Sequence, residues 1–158
     1  MRCTRSSATI VTAAALALAM GSSAARADDA GVAKSLTTKA AGEVCTATVQ
    51  SPHRSSGAKD GRILFKTRVT CEGDIPAVTV NIRGSLEEGP LVGPKRIMTT
   101  SDQSQVIKTG GTATFYTPLA NGKQVKAAGT YTGFITGEIT APAPGNIGTA
   151  QSKTVVIK

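Results

Sequence analysis

The sequence predicts an all-β protein, an antiparallel β-sandwich of about seven strands with one disulfide. Short runs in which apolar and polar residues alternate recur along the chain, which is typical of strands with one buried face. Turn signals rich in glycine, proline, asparagine and aspartate separate these runs. No run after residue 27 has helical periodicity. Two packed sheets are therefore the expected architecture.

The first 27 residues are predicted to be a secretory signal peptide. Arg2 and Arg5 precede an apolar run from Ala8 to Met20, and Ala25-Arg26-Ala27 is typical of a signal peptidase cleavage site. The apolar run is shorter than the about 20 residues that span a bilayer. We therefore expect a mature protein that begins at Asp28 and is secreted to the extracellular space, without membrane insertion.

The mature chain would have the size and charge of one small, mildly basic domain. Its 131 residues fit a single domain. Loss of Arg2, Arg5 and Arg26 leaves 15 basic residues against 10 acidic ones, a net charge of +5. The basic residues are scattered without interleaved aromatic residues, which argues against nucleic acid as a partner. The positive charge has two interpretations. The simpler one is a solvated surface, and the alternative is attraction to anionic wall polymers or acidic proteins.

Two cysteines remain after cleavage, and each lies on the apolar parity of its own predicted strand. Cys45 is in phase with Ala47 and Val49, and Cys71 with Val69. In an exported protein such a pair favours a disulfide over a metal site or a reactive thiol. The bridge would close a loop of 27 residues. For a loop of this length the chain-entropy model predicts that the bridge stabilises the folded protein by about 3 to 4 kcal/mol.

Seven strands follow from the alternation, each bounded by turn residues. They are expected from Glu43 to Gln50, Arg62 to Cys71, Val78 to Arg83, Lys95 to Thr100, Thr112 to Thr117, Gly129 to Thr140 and Thr149 to Lys158. Ser85 to Pro94 holds two prolines and two glycines and is predicted to be an irregular connection between the sheets. Ala141 to Asn146 is predicted to be a stiff loop.

The inward parities of these strands define a predicted core. Gly133 and Gly137 share the core parity of Tyr131, which indicates close backbone approach or a bulge. Besides the disulfide, the expected core residues are Val49, Phe65, Val69, Val80, Ile97, Phe115, Tyr131 and Ile135.

The segment from Asp28 to Gly42 is small, polar and weakly patterned, and is predicted to be a flexible N-terminal arm before a domain spanning 43–158. Docking on a partner could order it, with the apolar Val32 and Leu36 as anchors and Lys34 and Lys39 at the rim. The simpler alternative is a frayed terminus.

The stretch from Ala127 to Gly133, AAGTYTG, resembles the immunoglobulin motif in which a glycine two residues before a tyrosine opens strand F. The resemblance implies an immunoglobulin-like sandwich with a tyrosine corner, in which Gly129 and Tyr131 are structural residues. The sequence departs from antibody domains because Gly133 stands where their second cysteine would be, and because the chain has no tryptophan.

The layout of the whole precursor is similar to that of small secreted proteins of filamentous actinobacteria. An alanine-rich signal precedes two cysteines and strands rich in threonine, glycine and alanine. One group that it resembles is the adaptor subunit of the umbrella toxin particles of Streptomyces. That resemblance implies secreted partners, a lectin subunit and a large toxin subunit.

The residues offer little for catalysis. His53 is the single histidine, so a Ser-His-Asp or Cys-His set would depend on it. The adjacent Glu87 and Glu88 would point to opposite faces of a strand, which does not suit a paired acid and base. We expect a protein that is not an enzyme and has no cofactor or metal.

A protein-binding module is therefore expected, with an adaptor of a secreted toxin complex as the first hypothesis. An extracellular protease inhibitor or a cell-wall-binding protein is the alternative. The connection after Glu88 is the best candidate for an exposed contact loop, and its predicted partner-binding residues are Glu88, Pro90, Leu91 and Val92.

Overall fold

A computed structural model describes residues 35–40, 42–58 and 60–158. In these ranges the regular structure consists entirely of strands, which confirms the all-β prediction. Among these residues there is no helix of the length and hydropathy needed to cross a membrane. The ten strands are β1 (Ser35–Ala40), β2 (Glu43–Val49), β3 (His53–Arg54), β4 (Ile63–Glu72), β5 (Ala77–Glu88), β6 (Arg96–Lys108), β7 (Thr112–Thr117), β8 (Gly129–Ala141), β9 (Gly145–Gln151) and β10 (Val155–Ile157).

The strands form two antiparallel sheets of five, packed as a sandwich. In the first sheet β2 and then β3 line one edge of β4, β7 lines its other edge, and β1 lies outside β2. In the second sheet β5 and β8 are central, with β6 outside β5, and with β9 and β10 outside β8.

The strand order is that of an immunoglobulin-like sandwich. The chain crosses from β4 to β5 in the other sheet, forms the β5–β6 hairpin, returns with β7 beside β4, and crosses again with β8 beside β5. The strands β4, β5, β7 and β8 therefore take the positions of strands B, C, E and F.

The predicted disulfide is confirmed. Cys45 and Cys71 are direct partners in the β2–β4 ladder, with their Cα atoms 4.1 Å apart and both side chains buried. In antibody domains the bridge joins the two sheets, whereas here it joins neighbouring strands of one sheet. A disulfide fits an extracellular protein.

The predicted core is confirmed at every position except Ile97. The prediction for Ile97 is wrong, because its side chain is 60% exposed. The β5–β6 register shifts between Leu86 and Glu87, which places Ile97 opposite Glu87 on the outer face. Met98 packs against the core instead. The confirmed core residues are Cys45, Cys71, Val49, Phe65, Val69, Val80, Phe115, Tyr131 and Ile135.

The prediction of an irregular connection from Ser85 to Pro94 is wrong in two respects. β5 continues to Glu88, because Leu86 extends the buried parity of the strand and the first proline comes only at Pro90. The remaining loop, Gly89 to Lys95, joins β5 and β6 within one sheet and does not connect the two sheets.

Two other predicted strand boundaries differ from those in the structure. β6 extends to Lys108 rather than Thr100, because an edge strand can pair through its backbone while its side chains are polar. The predicted last strand divides into β9 and β10, and β9 begins at Gly145 inside the predicted loop.

The prediction of a flexible arm is wrong for Ser35–Ala40, which forms β1 and pairs with β2. Backbone hydrogen bonds at a sheet edge need no alternating apolar pattern, so the sequence gives no strand signal there. Lys39 is exposed on this strand, and Leu36 is the register partner of Ala47. Val32, Lys34 and the predicted signal peptide lie outside the described residues.

The tyrosine corner is present at the start of β8. The Tyr131 hydroxyl donates to the carbonyl oxygen of Ala127 at 2.9 Å, and the residue is fully buried. Burial raises the pKa of Tyr131, and the nearby Glu88 carboxylate raises it further. The hydroxyl therefore stays a neutral donor at neutral pH.

We expect Tyr131→Phe to lower the free energy of unfolding by about 1 kcal/mol, since it removes one hydrogen bond and leaves a carbonyl oxygen without its partner. Urea denaturation of the variant measures this loss. The matched control is Tyr116→Phe, on the outer surface of β7 where the side chain is 41% exposed. Equal midpoints for both variants would argue against a stabilising corner.

Candidate functional site

His53 lies on the short strand β3, and its side-chain contact is with a neighbouring backbone group. Its ring Nδ1 is 3.0 Å from the carbonyl oxygen of Ser51. Further along this loop, Arg62 pairs with Asp60 at 3.0 Å, and the hydrogen bond from the Arg62 side chain lowers the pKa of Asp60. No group of three or more His, Cys, Asp and Glu residues that could hold a metal occurs in the described ranges.

Glu87 and Glu88 have separate hydrogen-bond partners, as expected for neighbours on a strand. The Ser85 hydroxyl donates to Glu87 at 3.1 Å. Glu88 forms an ion pair with Arg96 on the facing strand, with Nη2 and Oε2 2.8 Å apart. Glu88 thus belongs to the base of the β5–β6 hairpin.

The loop Gly89 to Lys95, called the hairpin apex below, is held to the second sheet from both of its ends. The Gly89 N–H donates to the Thr130 carbonyl oxygen at 3.0 Å, which extends the β5–β8 ladder beyond Glu88. At the other end, the Lys95 ammonium group donates to the Thr132 hydroxyl at 2.9 Å and lies 3.5 Å from the Thr154 hydroxyl. The two threonine hydroxyls are themselves bonded at 2.7 Å.

The apex backbone is also tightly turned. A Cβ atom at Gly89 would lie 2.8 Å from the Pro94 carbonyl oxygen and 2.9 Å from Cγ of Lys95, so only glycine fits there. Gly93 has a φ of 120°, a backbone conformation that residues other than glycine rarely adopt. Pro90 and Pro94 restrict φ at two further positions. These restraints favour one rigid conformation of the apex.

The apex presents two large apolar side chains to solvent. Leu91 is 71% exposed and Val92 is 90% exposed. Charged residues lie at the two ends of this loop, Glu88 before it and Lys95 and Arg96 where it joins β6. An apolar centre with a polar rim is the usual anatomy of a protein interface.

The structure brings the four predicted loop residues together. Glu88 lies at the base of the hairpin, and Pro90, Leu91 and Val92 lie in its apex. The predicted arm residues Leu36 and Lys39 lie on β1, in the other sheet.

Sequence reasoning missed the residues that brace the apex, above all Lys95 and its threonine partners. Lys95 and Thr132 are 37 positions apart, and a lysine after a proline carries no signal for such a contact. The Glu88–Arg96 pair had a weak signal, since opposite charges flank a loop that contains turn residues.

Comparisons with known proteins found no match for this chain among protein-family models, curated proteins or solved structures.

Proposed function

We propose that the protein is an exported, non-enzymatic binding module whose hairpin apex inserts Leu91 and Val92 into an apolar depression on a partner protein. The observation that carries the proposal is the display of these exposed side chains on a braced loop. Burying a Leu or Val side chain contributes about 1.5 to 3 kcal/mol. A rigid apex loses little conformational entropy when it binds.

Within this class we propose an adaptor of a secreted complex, as the resemblance to umbrella toxin adaptors implies. A lectin subunit and a large toxin subunit are the proposed partners. An adaptor needs two separate contact surfaces, and the apex and β1 belong to different sheets. The disulfide is consistent with export.

A protease inhibitor is the second candidate, because the apex is exposed and restrained as an inhibitory loop would be. The restraint comes from the Glu88–Arg96 pair and the Lys95 contacts, whereas the disulfide lies in the other sheet. Capture of an extracellular protease in an inactive state would favour this candidate over the adaptor.

The test uses the protein from Asp28 onward, immobilised and exposed to culture fluid of the organism that produces it. Bound proteins are identified by mass spectrometry, and their affinity is then measured on the purified components. We expect the double variant Leu91→Ser/Val92→Ser to weaken binding by about 100-fold or more, because two apolar contacts worth about 1.5 to 3 kcal/mol each are lost.

Val44→Ser is the matched control, because Val44 is also exposed, at 37%, but lies on β2 in the first sheet. It should bind the partner of the apex like the unmodified protein, because Val44 pairs with Lys39 of β1 and so lies at the other proposed contact surface. A partner that binds both variants and the unmodified protein equally well would refute the proposed role of the apex.

A further inference from the structure

The strand that follows the apex has a long unpaired edge. β6 spans 13 residues and pairs with β5 along one side. No strand of the described chain pairs with its other side. An unpaired edge presents a row of free N–H and C=O groups that can receive another strand.

The register shows which residues face this free edge. Hydrogen-bonded pairs alternate along an antiparallel ladder. Thr109 N–H donates to the Pro76 carbonyl oxygen at 3.1 Å, so this pair is hydrogen-bonded, and every second pair up to Leu86 and Thr99 is hydrogen-bonded as well. The intervening residues of β6 therefore direct their backbone groups away from β5. They are Thr100, Asp102, Ser104, Val106 and Lys108, of which Lys108 already accepts a hydrogen bond from the Gly111 N–H at 2.8 Å.

The neighbouring edge strand of the first sheet is β7. Its outer edge is partly occupied by hydrogen bonds, whereas the edge of β6 between Thr100 and Val106 is not. Gln103 donates from Nε2 to the Tyr116 carbonyl oxygen at 2.8 Å, and Gln105 donates to that of Thr114 at 2.9 Å. Side chains of β6 thus satisfy two outward carbonyl groups of β7, those of Thr114 and Tyr116. Between Arg96 and Lys108, β6 itself has no proline or glycine and a single charged residue, Asp102. The usual features that block strand addition are therefore sparse along this edge.

We propose that an extended segment of the partner protein adds as a strand to the free edge of β6 between Thr100 and Val106. This inference rests on the proposed function, because the same partner would also contact the apex. Thr100 follows Lys95 by five residues, a distance of about 17 Å along a strand, so one partner can reach both surfaces. Val106, which is 68% exposed at one end of this segment, would pack against an apolar side chain of the added strand.

A second copy of this chain fits the edge less well. Antiparallel pairing of two β6 strands about a two-fold axis near Gln103 would place the two apexes about 50 Å apart, at opposite ends of the joined strands. Leu91 and Val92 would then remain exposed in the dimer. A different polypeptide can cover the edge and the apex together.

The test replaces Thr100 by proline and, as its matched control, by alanine. The Thr100 N–H faces the free edge, so proline removes no hydrogen bond to β5, while its ring obstructs an added strand. We expect Thr100→Pro to weaken binding of the partner captured from culture fluid by about tenfold or more, and Thr100→Ala to change it less than about threefold. Val106→Pro repeats the comparison should Thr100→Pro fail to fold, with Val106→Ile as its control because isoleucine keeps the exposed apolar side chain.

The outcomes separate this inference from the proposed function. Loss of binding in the proline variants but not in their controls supports strand addition. A partner that depends on Leu91 and Val92 but binds the proline variants normally overturns strand addition alone. If no partner depends on the apex, both proposals are overturned. A dimer of the unmodified protein that Thr100→Pro dissociates, measured by analytical ultracentrifugation, would assign the edge to a second copy and overturn the inference.

Discussion

Replacing Cys45 and Cys71 together by alanine is expected to lower the free energy of unfolding by about 3 to 4 kcal/mol. The bridge connects positions 26 apart in sequence, and its loss restores the conformational entropy of that loop to the unfolded chain. The two cysteines are already register partners in the β2–β4 ladder. The native sheet therefore keeps its pairing, and most of the effect acts through the unfolded state.

Guanidinium denaturation of the variant and of the unmodified protein, with and without reductant, measures this effect. The reduced protein is the matched control, because it lacks the bridge but retains both sulfur atoms in the core. It should lose slightly less stability than the double alanine variant, which also loses packing. A reduced protein as stable as the oxidised one would contradict the prediction.

Gly133→Ala is expected to lower the free energy of unfolding by about 1 to 3 kcal/mol, because it forces a methyl group into a packed core. Gly133 lies on β8 with Phe65 of the opposite sheet directly over it. A Cβ atom would meet three atoms of the Phe65 ring at 2.8 to 2.9 Å. Phe65 is fully buried, so its ring has little room to move away.

A double-mutant cycle identifies the cause of this loss. In a Phe65→Leu background the methyl group has more space, so Gly133→Ala should cost less than it does beside the phenyl ring. Gly57→Ala is the control, since a Cβ atom there meets no atom within 4 Å. Equal costs in both backgrounds would show that the clash with Phe65 does not limit stability.

Local patterns predict much of this fold because strand parity is a local property. The alternation around Phe65 and Val69 predicts the buried face of β4, and the shared phase of Cys45 and Cys71 predicts their bridge. The motif from Ala127 to Gly133 predicts the hydrogen bond of the tyrosine corner. Each inference needs only a few neighbouring residues and the period of an extended chain.

Edge strands lack such a pattern. β1 and the polar middle of β6 are held through the backbone of a neighbouring strand, so their side chains do not need to alternate. Similarly, the exposure of Ile97 depends on a register shift between β5 and β6. A register shift is a property of the pairing of two strands, and neither strand specifies it alone.

In the candidate site, too, the local sequence predicts some features and tertiary contacts determine the others. Prolines, glycines and two apolar residues in one short run predict an exposed loop at Glu88 to Pro94. Its rigidity comes from tertiary contacts, since the Lys95 ammonium group binds Thr132 on β8 and Glu88 pairs with Arg96 across the hairpin. Side-chain chemistry along the chain thus decides the half-buried strands, the turns between them and the disulfide. Contacts between residues distant in sequence decide which edge stays open and which loop is held rigid, because both depend on the neighbours that folding supplies.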